Sequence, residues 1–384
     1  MEDAFHGIQD WFWNEDFWLP PNVTWKDLTR DETTYIAYAR DLWAVFPLAV
    51  LLFLIRLVWE RVIALPIGRY FLVKESLPRP PQKCSVLEQA YKTHRRMLPS
   101  HNALQGYAKQ LDWTPRQIER WWRRRRVVGK PSEMQRFRET TWRLFFYLTI
   151  FWSGVYILWD KPWIWDTKHC WYSYPRQHVT REIYWYYMIE LAFYWSLVIS
   201  LTIDNKRKDF TEMMVHHFAT ISLLGLSWCN NMVRIGTLVL IVHDAVDPIL
   251  ESTKTANRQT NFERTTDFLF ICFTVMWFVT RLCIYPFRIL KNTLFEGHLI
   301  VGMFPMYYVF NSLLCILQVL HILWFYLICR TACLYITKGQ IDKDERSETE
   351  PESSSEEETD SVAKGDRVNG NNNLSNGRLK NKTH

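Results

Sequence analysis

Ionisable side chains interrupt two neighbouring apolar runs of this chain. The runs are Met213–Trp228 and Ile235–Leu250, joined by the short polar turn 229–231. Five ionisable residues lie within them: His216, His217, His243, Asp244 and Asp247. An aspartate at the centre of a membrane helix costs about 2.5–3.5 kcal/mol on insertion scales, so such residues usually face a cavity and serve a function there. Because the turn is short, the runs are predicted to form antiparallel helices that bring both clusters into one intramembrane site.

The composition favours a membrane protein with sizeable polar segments. Of its 384 residues 48% are hydrophobic and 16% aromatic, yet the mean hydropathy is −0.18. Apolar runs of the length that a bilayer requires occur at Leu42–Ile63, Leu144–Trp159, Tyr184–Ile203, Met213–Trp228, Ile235–Leu250, Phe268–Leu290 and Tyr307–Leu327. The sequence therefore predicts an all-α polytopic membrane protein with about seven transmembrane helices. The last six are expected to form a bundle around an intramembrane cavity.

Charged residues near the run ends predict the orientation. Residues 1–41 are rich in acidic side chains, whereas the segment after the first run is basic and contains Arg123–Arg126. The positive-inside rule places the N-terminus in the lumen, and it places Lys206, Arg207, Lys208 and the C-terminal tail in the cytosol. The sequon that begins at Asn22 then lies on the glycosylating side, which predicts glycosylation of Asn22.

The segment between the first two runs contains a helix signature. In Leu111–Arg126, Thr114 suits an N-cap, Pro115 suits the first helical position, and an apolar face is formed by Ile118, Trp121 and Trp122. This stretch resembles the end of a homeodomain, but Arg124 stands where the adenine-reading Asn belongs. A helical pair whose arginines rest on anionic headgroups or attract an anionic substrate is favoured, and no sequence-specific nucleic acid is expected.

These boundaries give five predicted segments. They are a luminal segment at 1–41, a first transmembrane helix at 42–64, a cytosolic segment with homeobox-like helices at 65–130, a catalytic membrane domain at 131–337, and a disordered acidic cytosolic tail at 338–384. In the tail, Ser353, Ser354 and Ser355 each precede an acidic residue by three positions. This spacing predicts phosphorylation by an acidophilic kinase.

The eight cysteines show no spacing typical of a metal site, so no metal, haem or iron-sulfur cluster is expected. Most lie in or beside apolar runs, where they suit packing. A disulfide between Cys170 and Cys229, both predicted to be luminal, is the less favoured alternative.

Several motifs together resemble one family. They are Trp11-Phe12-Trp13, Phe17-Trp18-Leu19-Pro20, the run from Trp121 to Arg126, Lys206 to Phe210, His216-His217, Arg234-x-Gly236-Thr237-Leu238, His243-Asp244-x-x-Asp247 and Leu250-Glu251. The chain resembles an animal ceramide synthase with a homeobox-like insert, in the TLC group of membrane proteins. The resemblance implies N-acylation of a sphingoid base by a fatty acyl-CoA in the endoplasmic reticulum membrane, without a cofactor. Acyl-CoA, a sphingoid base and membrane lipids are the expected partners, and a homodimer or a heterodimer is left open.

The ionisable cluster suits this chemistry. A thioester is already activated, so the enzyme must deprotonate an ammonium, align the amine with the carbonyl and stabilise an oxyanion. One histidine of the His216-His217 pair is expected to do the chemistry, because their side chains point about 100° apart and only one faces the cavity directly. It acts either as a general base or as a transiently acylated nucleophile. His243 and Asp247 are four residues apart and are predicted to share a helix face, with Asp244 and Asp247 supporting His243.

Further polar residues are candidates for substrate contact. Asn230, Asn231 and Arg234 lie near the predicted luminal mouth, where structural capping is an equal alternative. The basic triplet 206–208 is expected either to hold CoA phosphates or to fix the topology. Pro248 is expected to kink its helix one turn below the second cluster. The resemblance also places part of the acyl-length selection in the loop Phe295–Met306.

Three alternatives are left open. A di-iron desaturase or hydroxylase would need boxes of the H-x-x-H-H kind, but Met213 stands three residues before His216. A non-catalytic lipid sensor or transporter on the same bundle is poorly discriminated by sequence. A membrane-tethered transcription factor is disfavoured by Arg124.

Overall fold

The structure is a computed structural model and describes residues 10–73, 80–93, 98–128, 131–203, 210–258 and 262–338. Every regular element in these ranges is helical, as the sequence predicts. The long helices are α1 (Ala39–Tyr70), α2 (Ser85–Thr93), α3 (His101–Leu111), α4 (Pro115–Val127), α5 (Glu133–Leu158), α6 (Arg181–Ile203), α7 (Phe210–Cys229), α8 (Val233–Asp244), α9 (Asp247–Ala256), α10 (Glu263–Val301) and α11 (Pro305–Lys338).

Three of the described helices are both long and apolar enough to cross a membrane, namely α1, α10 and α11. They contain 32, 39 and 30 residues in their apolar stretches, and they include the predicted runs Leu42–Ile63, Phe268–Leu290 and Tyr307–Leu327. Helices α5, α6 and α7 have 26, 23 and 20 residues, which is about 39, 35 and 30 Å at 1.5 Å per residue. The chain is therefore a membrane protein, while the count of seven spans stays a prediction.

The run Ile235–Leu250 does not form one helix, so the prediction of a merely kinked helix is wrong. Helix α8 ends at Asp244 and α9 begins at Asp247, with Pro248 in its first turn. The proline has no N–H for the carbonyl of Asp244 and its ring would collide with that carbonyl, so the helix breaks before it. His243 and Asp247 consequently lie on either side of the break, and both contact Arg281 of α10.

The segment between the first two runs folds around a small core of its own. Thr114 caps α4 by accepting a hydrogen bond from the Gln117 N–H, and Pro115 takes the first helical position, as predicted. The expected apolar face is buried against α2 and α3 in a core that includes Leu87, Leu104, Ile118, Trp121 and Trp122. The segment thus has three helices and not the expected pair. Its likeness to a homeodomain stays a prediction.

An ion pair ties α4 to α2. The Arg125 guanidinium donates three hydrogen bonds of 2.6–3.0 Å to the Glu88 carboxylate, and these bonds lower the pKa of Glu88. Two other arginines of this run, Arg123 and Arg124, are exposed. This leaves their charge on the surface of α4 opposite its apolar face.

The main core lies among α5 to α11. Helix α1 packs on α6, α5 packs on α9, and α11 packs on α7 and α10. Residues 10–44 and the loop 159–180 contribute short helices and buried tryptophans to the predicted luminal side of this core, including Trp18, Trp163 and Trp171. Both Cys170 and Cys229 are free thiols, so the less favoured disulfide between them is not formed.

Candidate intramembrane active site

Four histidines from three helices line the centre of the bundle. Helix α7 contributes His216 and His217, whose ring centroids are 5.4 Å apart. Helix α8 contributes His243, and α11 contributes His321, whose Nε2 lies 3.1 Å from the Nε2 of His243. The sequence predicted that the first two helices would bring their clusters together, and α11 adds a fourth imidazole to the same region.

Aromatic rings connect the two histidine pairs. The His216 ring lies 5.3 Å from the ring of Trp324, which in turn lies 6.1 Å from that of Trp277. The Trp277 ring is 6.2 Å from the His321 ring. Tyr194 lies about as close to both members of the first pair, at 6.4 and 6.0 Å between ring centroids. The imidazoles are therefore packed among aromatic rings that hold their mutual positions.

The hydrogen bonds of His243 assign its tautomer. Its Nδ1 lies 2.6 Å from the carbonyl oxygen of Val239, and a carbonyl only accepts, so Nδ1 carries the proton. In the neutral ring Nε2 is then an acceptor, and it lies 3.1 Å from Nε2 of His321. That same Nε2 of His321 lies 3.5 Å from Nη1 of Arg281, and the guanidinium also contacts the backbone of His243. Arg281 therefore lies against both members of this histidine pair.

Arg281 is a buried cation that sequence reasoning missed. It lies in the π-helical part of α10 and is 4% exposed. Its Nη2 donates to the carbonyl of His243 at 2.7 Å, and its guanidinium lies 3.9 Å from the carboxylate of Asp247. The carbonyl of His243 is available because α8 ends one residue later, so the arginine caps a helix end. Its plane also lies over the ring of Trp277, 5.2 Å from the centroid.

The two aspartates do not support His243 directly. Asp244 is fully buried and accepts a hydrogen bond of 3.1 Å from the hydroxyl of Tyr186 on α6. Asp247 faces Arg281. The hydrogen-bond partners of the His243 ring among the described residues are Val239 and His321, so neither aspartate bonds to that ring and their supporting role stays a prediction. They belong to the site through other residues.

A second residue that sequence reasoning missed is an acid beside Asp244. Glu190 on α6 is fully buried and interacts electrostatically with Asp244. Glu190, Arg281 and His321 each stand inside an apolar run that was identified from sequence. The signal that singled out His216 and Asp247, an ionisable residue in an apolar run, would have found all three.

A narrow apolar cavity of about 20 Å³ leads away from His243. Side chains of α6, α7, α8 and α11 line it, most of them aliphatic or aromatic, including Leu223, Leu240 and Leu317. Tyr187 and Gly236 also line it, near the start of α8. The lining therefore extends along α8 from His243 to Gly236, and its apolar side chains suit contact with a hydrocarbon chain.

Residues near the start of α8 donate hydrogen bonds to carbonyls of a neighbouring loop. The Asn231 side-chain amide donates to the carbonyls of Pro175 and Gln177 at 2.7 and 2.8 Å. Arg234 donates to the carbonyl of His169 at 2.8 Å and lies over the ring of Trp163. These contacts support the capping alternative over substrate contact for both residues.

The other residues that were predicted to contact substrate are either fully buried or outside the described residues. Asn230 is fully buried, and its side-chain nitrogen and oxygen have no hydrogen-bond partner among the described residues. The triplet Lys206, Arg207 and Lys208 and the serines Ser353, Ser354 and Ser355 lie outside the described residues. Their predicted roles stay predictions.

Comparisons with known proteins agree with this architecture. Residues 136–330 match the TLC domain family. The chain is 45% identical over 349 residues to ceramide synthase 5 of Homo sapiens, a match that covers 91% of this chain and 88% of that protein. It is 40% identical to ceramide synthase 4 of Mus musculus over 91% of this chain and 89% of that protein. It is also 40% identical to ceramide synthase 3 of Homo sapiens over 90% and 89%. By its sequence and its TLC domain, this chain belongs to the ceramide synthase family.

Proposed function

We propose that this protein is a ceramide synthase that transfers a fatty acyl group from acyl-CoA to the amine of a sphingoid base. The observation that carries the proposal is the buried histidine cluster, of which His243 lines a small apolar cavity, in a chain about 40–45% identical to three ceramide synthases. The products are a ceramide or dihydroceramide and free CoA. No cofactor takes part in the proposed reaction.

The chemistry needs one base near two lipid substrates. The amine nitrogen attacks the thioester carbonyl, a C–N bond forms, the C–S bond breaks, and the amine proton passes through an imidazole to the departing thiolate. We place this imidazole in the His216-His217 pair. A neutral imidazole is a suitable base because it takes up and releases a proton near neutral pH.

Two routes fit the geometry. In the first, the histidine removes the proton from the amine while the amine attacks. In the second, the imidazole itself takes the acyl group and the amine then displaces it. We favour the first route, because an acyl-CoA thioester needs no second activation.

The other buried groups position this centre. His321 and Arg281 fix the ring and the carbonyl of His243, while Tyr186 holds Asp244. The cavity that begins at His243 would take the acyl chain, because its wall is apolar along its length. Such preorganisation lowers the entropy cost of aligning the two substrates.

The proposed setting is the endoplasmic reticulum membrane, with the N-terminus in the lumen and the C-terminus in the cytosol. Asn22, in its sequon, is exposed on the surface of the N-terminal segment, which supports its glycosylation. The basic stretch of α4 and the tail would then face the cytosol. The lysine and arginine triplet at 206–208 would lie on the same side, where it could meet CoA phosphates.

The proposal is tested with purified full-length protein in lipid nanodiscs. Labelled acyl-CoA and sphinganine should give labelled dihydroceramide. His216→Ala and His217→Ala should reduce turnover by orders of magnitude at unchanged abundance. The matched control is His101→Ala, because His101 is an exposed histidine on α3, and it should keep normal turnover. Near-normal activity in both α7 variants would remove the catalytic assignment, and absence of any transfer by the unmodified chain would favour a lipid sensor or transporter.

Mass spectrometry separates the two routes. The protein is exposed to acyl-CoA without a sphingoid base and then digested. A mass increment of one acyl group on the peptide that contains His216 and His217 would overturn the preference for direct transfer. Absence of the increment, with rapid transfer once the amine is added, supports it.

A further inference from the structure

An apolar groove opens on the outer surface of the bundle between α7 and α11. It has a volume of about 350 Å³ and is lined by Val215, Cys315, Ile316, Val319 and Leu320. Four of these side chains are aliphatic and the fifth is a thiol. The lining exposes apolar atoms alone. A groove of this kind on a membrane protein faces hydrocarbon and not water.

The groove lies at the same level of the bundle as the histidines. Val215 directly precedes His216 on α7, and Leu320 directly precedes His321 on α11. Successive residues of an α-helix point about 100° apart. On both helices the histidine therefore turns inward while its neighbour forms a wall of the groove.

The groove borders the part of the core that holds the histidine cluster. Val319 is 65% exposed, whereas Leu320 is 8% exposed and forms part of the main core. The rings of His216 and Trp324, which are 5.3 Å apart, join α7 to α11. The groove wall and the cluster are therefore formed by neighbouring residues of the same two helices.

The groove and the internal cavity lie on different sides of α11. The cavity is lined by Phe310, Leu314 and Leu317, which recur every three or four residues along one face of that helix. Cys315 and Val319 are four residues apart and define a second face. Two separate apolar spaces therefore approach one group of histidines.

We propose that this groove binds the alkyl chain of the long-chain amine substrate, which reaches the histidines sideways from the bilayer. The inference rests on the proposed function, which needs two long hydrocarbon chains at one centre. The amine has a single chain and dissolves in the bilayer, so an apolar groove that faces lipid suits it. Acyl-CoA carries several phosphate charges, and the groove lining has no cation to meet them. The internal cavity is left for the acyl chain.

Kinetics with two matched variants tests the proposal. Val319→Trp fills the groove, whereas Ile322→Trp places the same ring on the same helix outside the lining, at a residue that is 55% exposed. We expect Val319→Trp to raise the KM for sphinganine at least tenfold and to leave the KM for acyl-CoA within twofold. Ile322→Trp should leave both constants within twofold. Equal effects of the two variants, or a selective effect of Val319→Trp on acyl-CoA, would overturn the proposal.

Photolabelling of the unmodified chain gives a second, independent measurement. A sphingoid base with a diazirine in its alkyl chain is irradiated with the protein in nanodiscs, with and without excess sphinganine. We expect labelled peptides that contain residues 315–320, and we expect sphinganine, but not added phospholipid, to suppress them. Labelling that phospholipid suppresses equally would show a general lipid groove and would refute the proposal. If the chain transfers no acyl group yet shows the saturable label, the proposed function fails while the groove assignment stands.

Discussion

Replacement of Gly236 by alanine is expected to destabilise the protein through one contact. A Cβ atom at this position would lie 1.9 Å from Oη and 2.9 Å from Cζ of Tyr187. Tyr187 is fully buried and its hydroxyl hydrogen-bonds to that of Ser227, so the ring cannot swing aside. Overpacking of a core costs about 1–3 kcal/mol. The conversion is about 2–4 °C per kcal/mol for 150–250 residues and falls with chain length, so the Tm of this 384-residue chain should fall by less than about 12 °C.

A second glycine provides the matched control. Gly225 lies in α7, the neighbouring helix, and a Cβ atom there would meet nothing within 4 Å. Gly225→Ala should therefore keep the Tm or raise it, because alanine stabilises a helix interior by about 1 kcal/mol relative to glycine. Both variants are measured by thermal unfolding in the same detergent, together with dihydroceramide formation.

A double-mutant cycle then isolates the contact. Tyr187→Phe removes the hydroxyl at a cost of about 0.5–1.5 kcal/mol, and Ser227 keeps its hydrogen bond of 3.1 Å to the carbonyl of Leu224. In the double variant Gly236→Ala/Tyr187→Phe, the closest contact is gone. Its loss of free energy of unfolding should therefore be about 1 kcal/mol less than the sum of the losses of the two single variants. Rescue should be partial, because the ring carbon remains 2.9 Å from the new Cβ. Additive effects, or a Gly236→Ala variant as stable as Gly225→Ala, would refute this packing argument.

Four other outcomes are expected. Arg281→Lys should lower turnover about 10–100-fold, because a lysine cannot keep every contact of the guanidinium and one charged hydrogen bond contributes about 1.5–3 kcal/mol. Unchanged turnover would contradict the positioning role of Arg281. Asn231→Ala should lower the free energy of unfolding by about 1–3 kcal/mol, and therefore the Tm, while turnover per folded molecule stays within twofold. A raised KM for either substrate would show substrate contact instead. Asn22→Gln should abolish the shift in gel mobility that glycosidase causes, and protection of the C-terminus from protease in sealed microsomes would disprove the orientation. A selected DNA library should show only salt-sensitive, sequence-blind retention, since Arg124 replaces the base-reading Asn; recovery of one motif at physiological salt would disprove this.

The sequence alone determined the fold class and the location of the site. Apolar runs predicted the helices, because a helix forms its backbone hydrogen bonds within its own segment. A helix can therefore be predicted from that segment alone. Ionisable residues within those runs marked His216, His217 and His243, because an unneeded charge in lipid is costly. The cap of α4 was equally local, since Thr114 and Gln117 satisfy each other within one turn.

Only the tertiary structure decided which groups meet. His321 follows His243 by 78 residues, and no period or spacing in the chain relates the two. The carboxylate of Asp247 meets the guanidinium of Arg281 on α10, and the end of α8 leaves the carbonyl of His243 free for the same guanidinium. Asn231 and Arg234 hold loops from elsewhere in the chain, which a local pattern cannot distinguish from substrate contact. Long-range packing is set by the shapes of many side chains at once, and for that reason the partners of each buried charge were visible only in the folded chain.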